Sequence, residues 1–476
     1  MTEKKRLKLY NTMTYQKEEF VPLIEEWKSE FVGIYSCGPT VYSSPTIGNY
    51  RAFFTADLIR NVLKYICEYP VKTVMNITDV GHLTDDGDAW EDKLEKGSKR
   101  DWISVWEVAK KYESEFFHGL KEMQIDSFDV MPKATDHILE QIEMIKRLEE
   151  KGYTYEISWD GIYMDTSKVE DYGKLMGPNY KKRLENLNAG ERVDMGEKKH
   201  ATDFALRKFS PSDEKRQMER DSPWWVGFPG WHIECSAMSS KYLGNQFDIH
   251  HGGADHITVH HPNEIAQSEV VFENQRVKYR VHNQFLQVDG GKMGKSLGNA
   301  YTLEDIKAKW YSPLDLRYFF FVAQYGSFQN FTRDALEQAK KSRENLKKKI
   351  QKSFQESTSW EDANFQDQII SAFLDNFNTP KVLSIIGEKK VFTSSELNYL
   401  TFLEKKVLKV WLFEEEKNEI EIPEEITNLA NQRLTAKKEK DYALADELRN
   451  QIQNAGFEIK DIPEGFEIVK NKSDFK

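Results

Sequence analysis

Four side chains in this 476-residue chain carry metal-ligand chemistry: Cys37, Cys235, His260 and Glu264. Together they offer two thiolates, an imidazole and a carboxylate, and zinc accepts all three types at about 2.0–2.3 Å in tetrahedral geometry. His260 and Glu264 stand four apart, so a helix would stack them on one face. Spacing alone does not select this reading. There is no CxxC pair, and two buried cysteines acting as small hydrophobes, beside a solvent-facing His/Glu pair, would leave the same trace. The remaining cysteine, Cys67, follows Tyr65-Ile66 on an apolar helical face and is expected to pack. A second group is cationic. Asp289-Gly-Gly-Lys-Met-Gly-Lys-Ser296 sets Lys292 and Lys295 among glycines, where two ammonium groups can neutralise a triphosphate as pyrophosphate leaves. The segment lacks the GxxxxGK[ST] spacing of a P-loop, and lysine pairs in exposed loops are commonly only solvated.

The elements that must position these groups can be read around them. Phe31-Val-Gly-Ile-Tyr35 reads as a short buried strand, and from Thr55 the apolar stripe of Leu58, Val62 and Ile66 predicts a helix. The turn between them holds Cys37, Gly38, two prolines and Gly48. A strand that breaks on glycine and proline and then opens a helix is where doubly wound sheets bind nucleotide phosphates, because the helix N-terminus offers free N–H groups. Val71–Thr78 predicts a second strand, with polar Thr78 and Asp79 at the carboxyl end that such sheets turn toward ligands. The sheet is expected to resume near Trp231–Cys235 and Phe247–His250. A histidine-dense segment follows, with His250, His251, His256, His260 and His261.

From Phe331 the chain reads as helical almost to its end. Leu336, Ala339, Leu346 and Ile350 form an apolar face beside Lys340, Lys341, Arg343, Lys347, Lys348, Lys349 and Lys352. A break around Glu414–Glu425 separates a last small unit, which carries Arg433, Lys437, Lys438 and Lys440 and a final helix that Gly456 is expected to cap.

The length suggests about three domains. A composition of 39% hydrophobic and 30% charged residues is that of a soluble globular protein. No run of 18 apolar residues is present, so no membrane span is expected. The start Met-Thr-Glu-Lys-Lys-Arg leads into no apolar segment, and three cysteines in a long chain suit a reducing compartment. The expected location is the cytoplasm. A net charge of −11 argues against a general nucleic-acid coat but leaves room for a local basic face.

Four stretches in this order carry a resemblance: Cys37-Gly-Pro-Thr-Val-Tyr42, Gly230-Trp-His-Ile-Glu-Cys-Ser-Ala-Met238, His260-His-Pro-Asn-Glu-Ile-Ala-Gln-Ser268 and Lys292-Met-Gly-Lys-Ser296. The chain resembles the cysteinyl-tRNA synthetases, a branch of the class I aminoacyl-tRNA synthetases, over nearly its whole length. The resemblance implies an α/β fold: a Rossmann-like nucleotide-binding catalytic domain at 1–128 and 226–330 interrupted by a connective insertion at 129–225, then an α-helical bundle at 331–415 and a small anticodon-binding unit at 416–476. It implies one zinc ion (Zn2+) per chain on Cys37, Cys235, His260 and Glu264, and Mg2+ bound with ATP. It places Thr46, Asn49, Lys292 and Lys295 in catalysis, Gly48 and Lys295 on ATP, and Gly38, Thr78 and Trp231 around L-cysteine. The implied partner is tRNA(Cys), and the implied state is a monomer.

Four positions depart from the family pattern. Thr46-Ile-Gly-Asn49 stands where the family has HIGH, so a hydroxyl and an amide replace two histidines, and both can still donate hydrogen bonds to phosphate. Gly294 replaces the serine of KMSKS, and Pro262 replaces a usual glutamate. Two competing functions share parts of this pattern. One is a cysteine ligase that passes the adenylate to a small amine, against which the helical region after Phe331 speaks. The other is a zinc-stabilised RNA-binding protein whose catalytic motif has decayed.

Overall fold

Valine, isoleucine and tyrosine crowd Val32–Ser36, and all five of its residues are buried, as a strand covered on both faces requires. In the computed structural model, which describes residues 6–79, 93–101, 103–189, 197–211, 217–274, 276–294, 297–356, 364–413, 424–438, 441–462 and 465–470, this strand lies inside a four-stranded parallel sheet. The spatial order is Val71–Met75, Val32–Ser36, Phe247–Gly253, Val277–Asn283. Val32–Ser36 thus has its immediate successor on one side and a strand from far downstream on the other. That is a topological switch point, where doubly wound sheets leave a ligand crevice at the carboxyl ends of the strands. Cys37 follows directly on one of these strands, and His250 and His251 lie toward the end of the other.

The first long helix runs Ile47–Tyr65, starting well before the Thr55 suggested by its apolar stripe. Thr46 caps it: its hydroxyl accepts from the Asn49 N–H, and the Asn49 side chain accepts from the Thr46 N–H. A reciprocal cap of this kind satisfies donors that the first turn cannot pair internally. Cys67, just past this helix, is buried as expected.

Two sequence expectations about elements were wrong, each for a physical reason. Trp231–Cys235 is not a strand; it opens the helix Trp231–Leu243 after Gly230. His232 through Ser239 are all buried, so no exposed face marks the helical period, and a short window then reads like a covered strand. The chain also does not stay helical to its end. It closes in an antiparallel hairpin of Phe457–Ile462 and Gly465–Lys470, whose opening Phe-Glu-Ile-Lys alternates with a period of two.

Between the halves of the parallel sheet lies a separate antiparallel sheet, ordered Thr154–Ile157, Gly161–Met164, Phe204–Phe209, Gly227–Pro229. Its core of Ile162, Met164, Phe204 and Leu206 packs on Ile233 and Ala237, so this sheet supports the helix that carries Cys235. After the parallel sheet, the helices Arg333–Glu356, Phe365–Leu374, Thr379–Glu388 and Ser394–Leu403 share one apolar core with the helix Ile47–Tyr65. A buried ionic joint fixes that contact: the Arg317 guanidinium meets Asp57 at 2.9 Å and also donates to the carbonyls of Leu408 and Met123. Arg343, read with the basic face, is instead buried on Asp315 at 3.0 Å.

Residues 414–476 form a second compact unit. Within it the helices Glu424–Lys438 and Tyr442–Asn454 pack with the hairpin around Ile426, Ala430, Ile452, Phe457 and Ile459. Gly456 follows the second helix in the left-handed region, at φ +85°, as a C-terminal cap requires. Arg433, expected on the surface of this unit, is buried. Lys440 lies outside the described residues. Among the described residues, no helix is long and apolar enough to cross a membrane.

Candidate metal and nucleotide site

Cys37, Cys235, His260 and Glu264 come together. Cys37 is delivered by the central strand, Cys235 by the second turn of the helix Trp231–Leu243, and the other two by one face of the helix His260–Phe272. One ligand atom from each lies within 4.8 Å of all the others. His260 Nε2 and Glu264 Oε1 face each other at 3.0 Å, yet neither buried atom makes a hydrogen bond among the described residues. An unsatisfied imidazole nitrogen and carboxylate oxygen beside two cysteines outside any disulfide fit a cation, and the soft sulfur pair fits zinc.

The ligands are held from behind, as metal ligands usually are. His260 Nδ1 pairs with His232 Nδ1 at 2.8 Å, and the Trp231 ring lies over His260 with centroids 4.2 Å apart. Glu264 Oε2 pairs with His250 Nε2 at 2.6 Å. Cys37 Sγ is 3.4 Å from His261 Nε2, and His261 Nδ1 is 2.8 Å from His282. A second quartet, Cys37, His250, His261 and Glu264, is also compact enough to hold an ion. It has one sulfur instead of two. The first quartet fits zinc better.

Electrostatics agree with a cation site. A hydrogen bond from Cys37, opposed by burial and helped by His260, brings the Cys235 thiol down to about 7. Burial, together with Cys235, pushes Cys37 up. Burial opposes charge on His260, but Glu264 and Cys235 outweigh it and hold the imidazole up at about 10. Burial likewise opposes charge on Glu264, and His250 and His260 outweigh it, keeping the carboxyl well below its usual range.

Gly38 directly follows Cys37, the Trp231 ring lies over His260, and Thr78 bonds Glu234, the neighbour of Cys235. A Cβ on Gly38 would stand 1.7 Å from the Asn76 carbonyl oxygen, so only glycine permits this approach. Thr78 is fixed by its backbone, donating to Pro39 O at 3.0 Å and accepting from Val41 N–H at 3.1 Å. Its hydroxyl donates to Glu234, a residue the sequence reading passed over. Burial, with Cys235 beside it, pushes the Glu234 carboxyl well above its ordinary value. The available signal was an acid inside the otherwise buried run Trp231–Ser239.

The nucleotide side is less fully assembled. Thr46 Oγ1 donates to Asn49 Oδ1 at 2.8 Å, so the two residues standing in for histidines also build the helix start. Because Asn49 spends its oxygen on Thr46, its amide NH2 is the group left to donate outward. Lys292 is exposed in a two-residue strand paired to Leu286–Val288. Met293 Cε lies where a side chain on Gly48 would be, 2.2 Å from an ideal Cβ, which lays the lysine segment on the first turn of the helix. Arg51, also missed from the sequence, is buried and donates to the carbonyls of Gln284, Phe285 and Ser327 at 2.7–2.9 Å. It ties that helix to the root of the lysine segment. Lys295 lies outside the described residues.

Residues 23–341 match the family model described as the class I (C) tRNA synthetase catalytic domain. The chain is 40% identical over 491 residues to the cysteine--tRNA ligase of Treponema denticola, covering 96% of this chain and 98% of that one. It is 40% identical over 469 residues to cysteine--tRNA ligase 1 of Burkholderia lata, with 96% of each covered. The chain belongs to the cysteine--tRNA ligase family. The cysteine--tRNA ligase of Thermococcus gammatolerans, 37% identical over 495 residues, covers 96% of this chain and 98% of its own. Membership bears out the resemblance read from the four motifs and the class I α/β fold. The methionyl-tRNA synthetase of Mycobacterium tuberculosis in complex with methionyl-adenylate shares that fold with this member of the cysteine--tRNA ligase family. The TM-score is 0.56 at 12% identity, over 81% of this chain and 86% of that one.

Proposed function

We propose that the chain activates L-cysteine with ATP and transfers it to the 3′ end of tRNA(Cys), with zinc held by Cys37, Cys235, His260 and Glu264. The observation that carries this reading is the meeting of those four side chains at the sheet's switch point, beside a capped helix start. The cysteine carboxylate attacks the α-phosphate of ATP in line, and pyrophosphate leaves; Mg2+ bound with ATP would offset its charge. A ribose hydroxyl of the tRNA then attacks the adenylate carbonyl, and AMP leaves. Held by Cys37, Cys235, His260 and Glu264, zinc would supply a soft Lewis acid that favours a thiolate over the neutral hydroxyl of serine.

This chain's own residues do the rest. Gly38, Thr78 and Trp231 line the cysteine pocket, and His232 and His250 orient two of the ligands. Asn49 and the N–H groups after Thr46 meet the phosphates, while Lys292 and Lys295 neutralise the departing pyrophosphate. The exposed lysines Lys341, Lys348 and Lys352 on the helix Arg333–Glu356 and the unit from residue 416 contact tRNA phosphates, which positions the RNA without reading its sequence. The protein acts as a monomer in the cytoplasm.

Cysteine-dependent ATP–pyrophosphate exchange, followed by charging of a tRNA(Cys) transcript with labelled cysteine, tests this reading. Both reactions are expected. A flat exchange assay would overturn it, and exchange without acid-precipitable product would favour a ligase for small amines. A narrower expectation concerns Gly48→Ala. The new methyl's one close approach is to the flexible end of Met293, with Thr46 Oγ1 at an ordinary 3.6 Å, so thermal stability changes little. The displaced lysine segment nevertheless lowers kcat/KM for ATP by up to about a hundredfold. An unchanged kcat/KM would contradict that contact's role.

A further inference from the structure

An unbroken line of hydrogen bonds runs from the residue after Cys37 to the residue before Cys235. Gly38 N–H donates to Asn76 Oδ1 at 2.9 Å. Asn76 Nδ2 donates to Thr78 Oγ1 at 3.1 Å, and Thr78 Oγ1 donates to Glu234 Oε2 at 2.8 Å. Asn76, Thr78 and Glu234 are 2%, 1% and 0% exposed, so bulk water does not replace these partners.

The direction of the line follows from what each group can do. A backbone N–H only donates, so the oxygen of the Asn76 amide must face Gly38, which turns its NH2 toward Thr78. A hydroxyl has one hydrogen. With a donor already pressed on its oxygen, Thr78 sends that hydrogen to Glu234 Oε2, which accepts it either as part of a carboxylate or as the carbonyl oxygen of a neutral acid. The remaining lone pair of the Thr78 hydroxyl makes it an acceptor, not a donor, toward anything else that approaches. An amino acid presents a carboxylate, which only accepts, and an α-ammonium, which only donates. An acceptor hydroxyl therefore favours the ammonium and disfavours the carboxylate, and so sets which way round the substrate enters.

We propose that Glu234 and Asn76 are positioning residues that hold the Thr78 hydroxyl as an acceptor for the α-ammonium group of the incoming amino acid. The proposal rests on the reading of Thr78 as a pocket residue. Neither Glu234 nor Asn76 touches the substrate. Glu234 takes the hydroxyl hydrogen out of the pocket, and Asn76 stops the hydroxyl from rotating. Without Glu234, the Asn76 donor remains in place and the hydroxyl hydrogen has nowhere to point but the pocket, against the ammonium.

The test compares L-cysteine with 3-mercaptopropionate, which keeps the thiol and carboxylate but lacks the ammonium, on the full-length zinc-loaded protein. Glu234→Met is expected to raise the cysteine KM in pyrophosphate exchange about tenfold to a hundredfold, the range for a hydrogen bond to a charged group. The inhibition constant of 3-mercaptopropionate, the KM for ATP and the zinc content stay as in the parent. Glu234→Gln, which keeps an acceptor oxygen, stays close to the parent. Asn76→Ala gives a smaller rise of the same selective kind, and it carries the test if Glu234→Met does not fold. Equal losses for cysteine and 3-mercaptopropionate, or no change in either, would overturn the proposal. Thr78→Val separates the two levels. If it leaves the cysteine KM unchanged, the pocket reading itself fails. If it raises that KM while the Glu234 and Asn76 variants do not, only the relay fails.

Discussion

Stripping the metal from the folded protein with a strong chelator is expected to abolish cysteine activation while ATP binding persists. Cysteine and serine differ by one atom, and a pocket that measures only volume separates such pairs poorly. Two thiols, an imidazole and a carboxylate around one point change the problem, because a zinc ion held there prefers a soft thiolate to an alcohol. A site with a specific partner for the distinguishing group reaches discrimination on the order of 10⁴ or more without editing. Exchange with cysteine should therefore fall toward the serine background in the metal-free protein and return when zinc is restored. ATP binding, followed by fluorescence of a nucleotide analogue, should change little, since Thr46, Asn49 and Lys292 are not among the ligands. Full activity in verified metal-free protein would contradict this account.

The second large effect is structural and lies away from the metal. Asp57 is fully buried and is met by Arg317 at 2.9 Å and Arg60 at 2.6 Å, with Lys409 at 3.7 Å. Burial works against its charge, but Arg317, Lys409 and Arg60 outweigh it and lower its pKa. A lowered carboxyl pKa contributes stability that is present above the ordinary carboxylate value and is lost as pH falls through the lowered one. Asp57→Ala leaves the buried Arg317 without its carboxylate, while Arg60 and Lys409 keep only Asp126. Breaking a buried pair from one side costs about 3–5 kcal/mol, readable as a drop in the urea midpoint at fixed zinc concentration. Because Asp57 lies on the helix that begins at Thr46, pyrophosphate exchange should weaken with it. A loss below about 1 kcal/mol, the scale of a surface pair, would mean that the joint is not what holds the helical region to the sheet.

The legible parts of the site were those with local signatures. His260 and Glu264 could be placed on one helical face from their spacing alone. Cys37 and Cys235 could not be joined to them by spacing, because the contact is made by the parallel sheet and two helices from distant parts of the chain. Only the motif resemblance linked them. Trp231–Cys235 was misread because its helix is buried on nearly every side, which removes the period that marks a helix. Arg343 and Arg433 were read as surface cations because sequence shows charge and not its partner, and burial on Asp315 settles the first. Arg51, Asn76 and Glu234 stayed invisible for the same reason. Each works through hydrogen bonds to segments far away in the chain, which no local pattern records.

X-ray absorption at the zinc edge tests the central claim most directly. The zinc-loaded protein should show two sulfur and two lighter ligands, from Cys37, Cys235, His260 and Glu264. Saturating L-cysteine should raise the sulfur count to three, and saturating serine should leave it at two. A single sulfur in the substrate-free protein would place the ion instead on Cys37, His250, His261 and Glu264. A count that stays at two with saturating cysteine would contradict selection of the substrate through its thiolate.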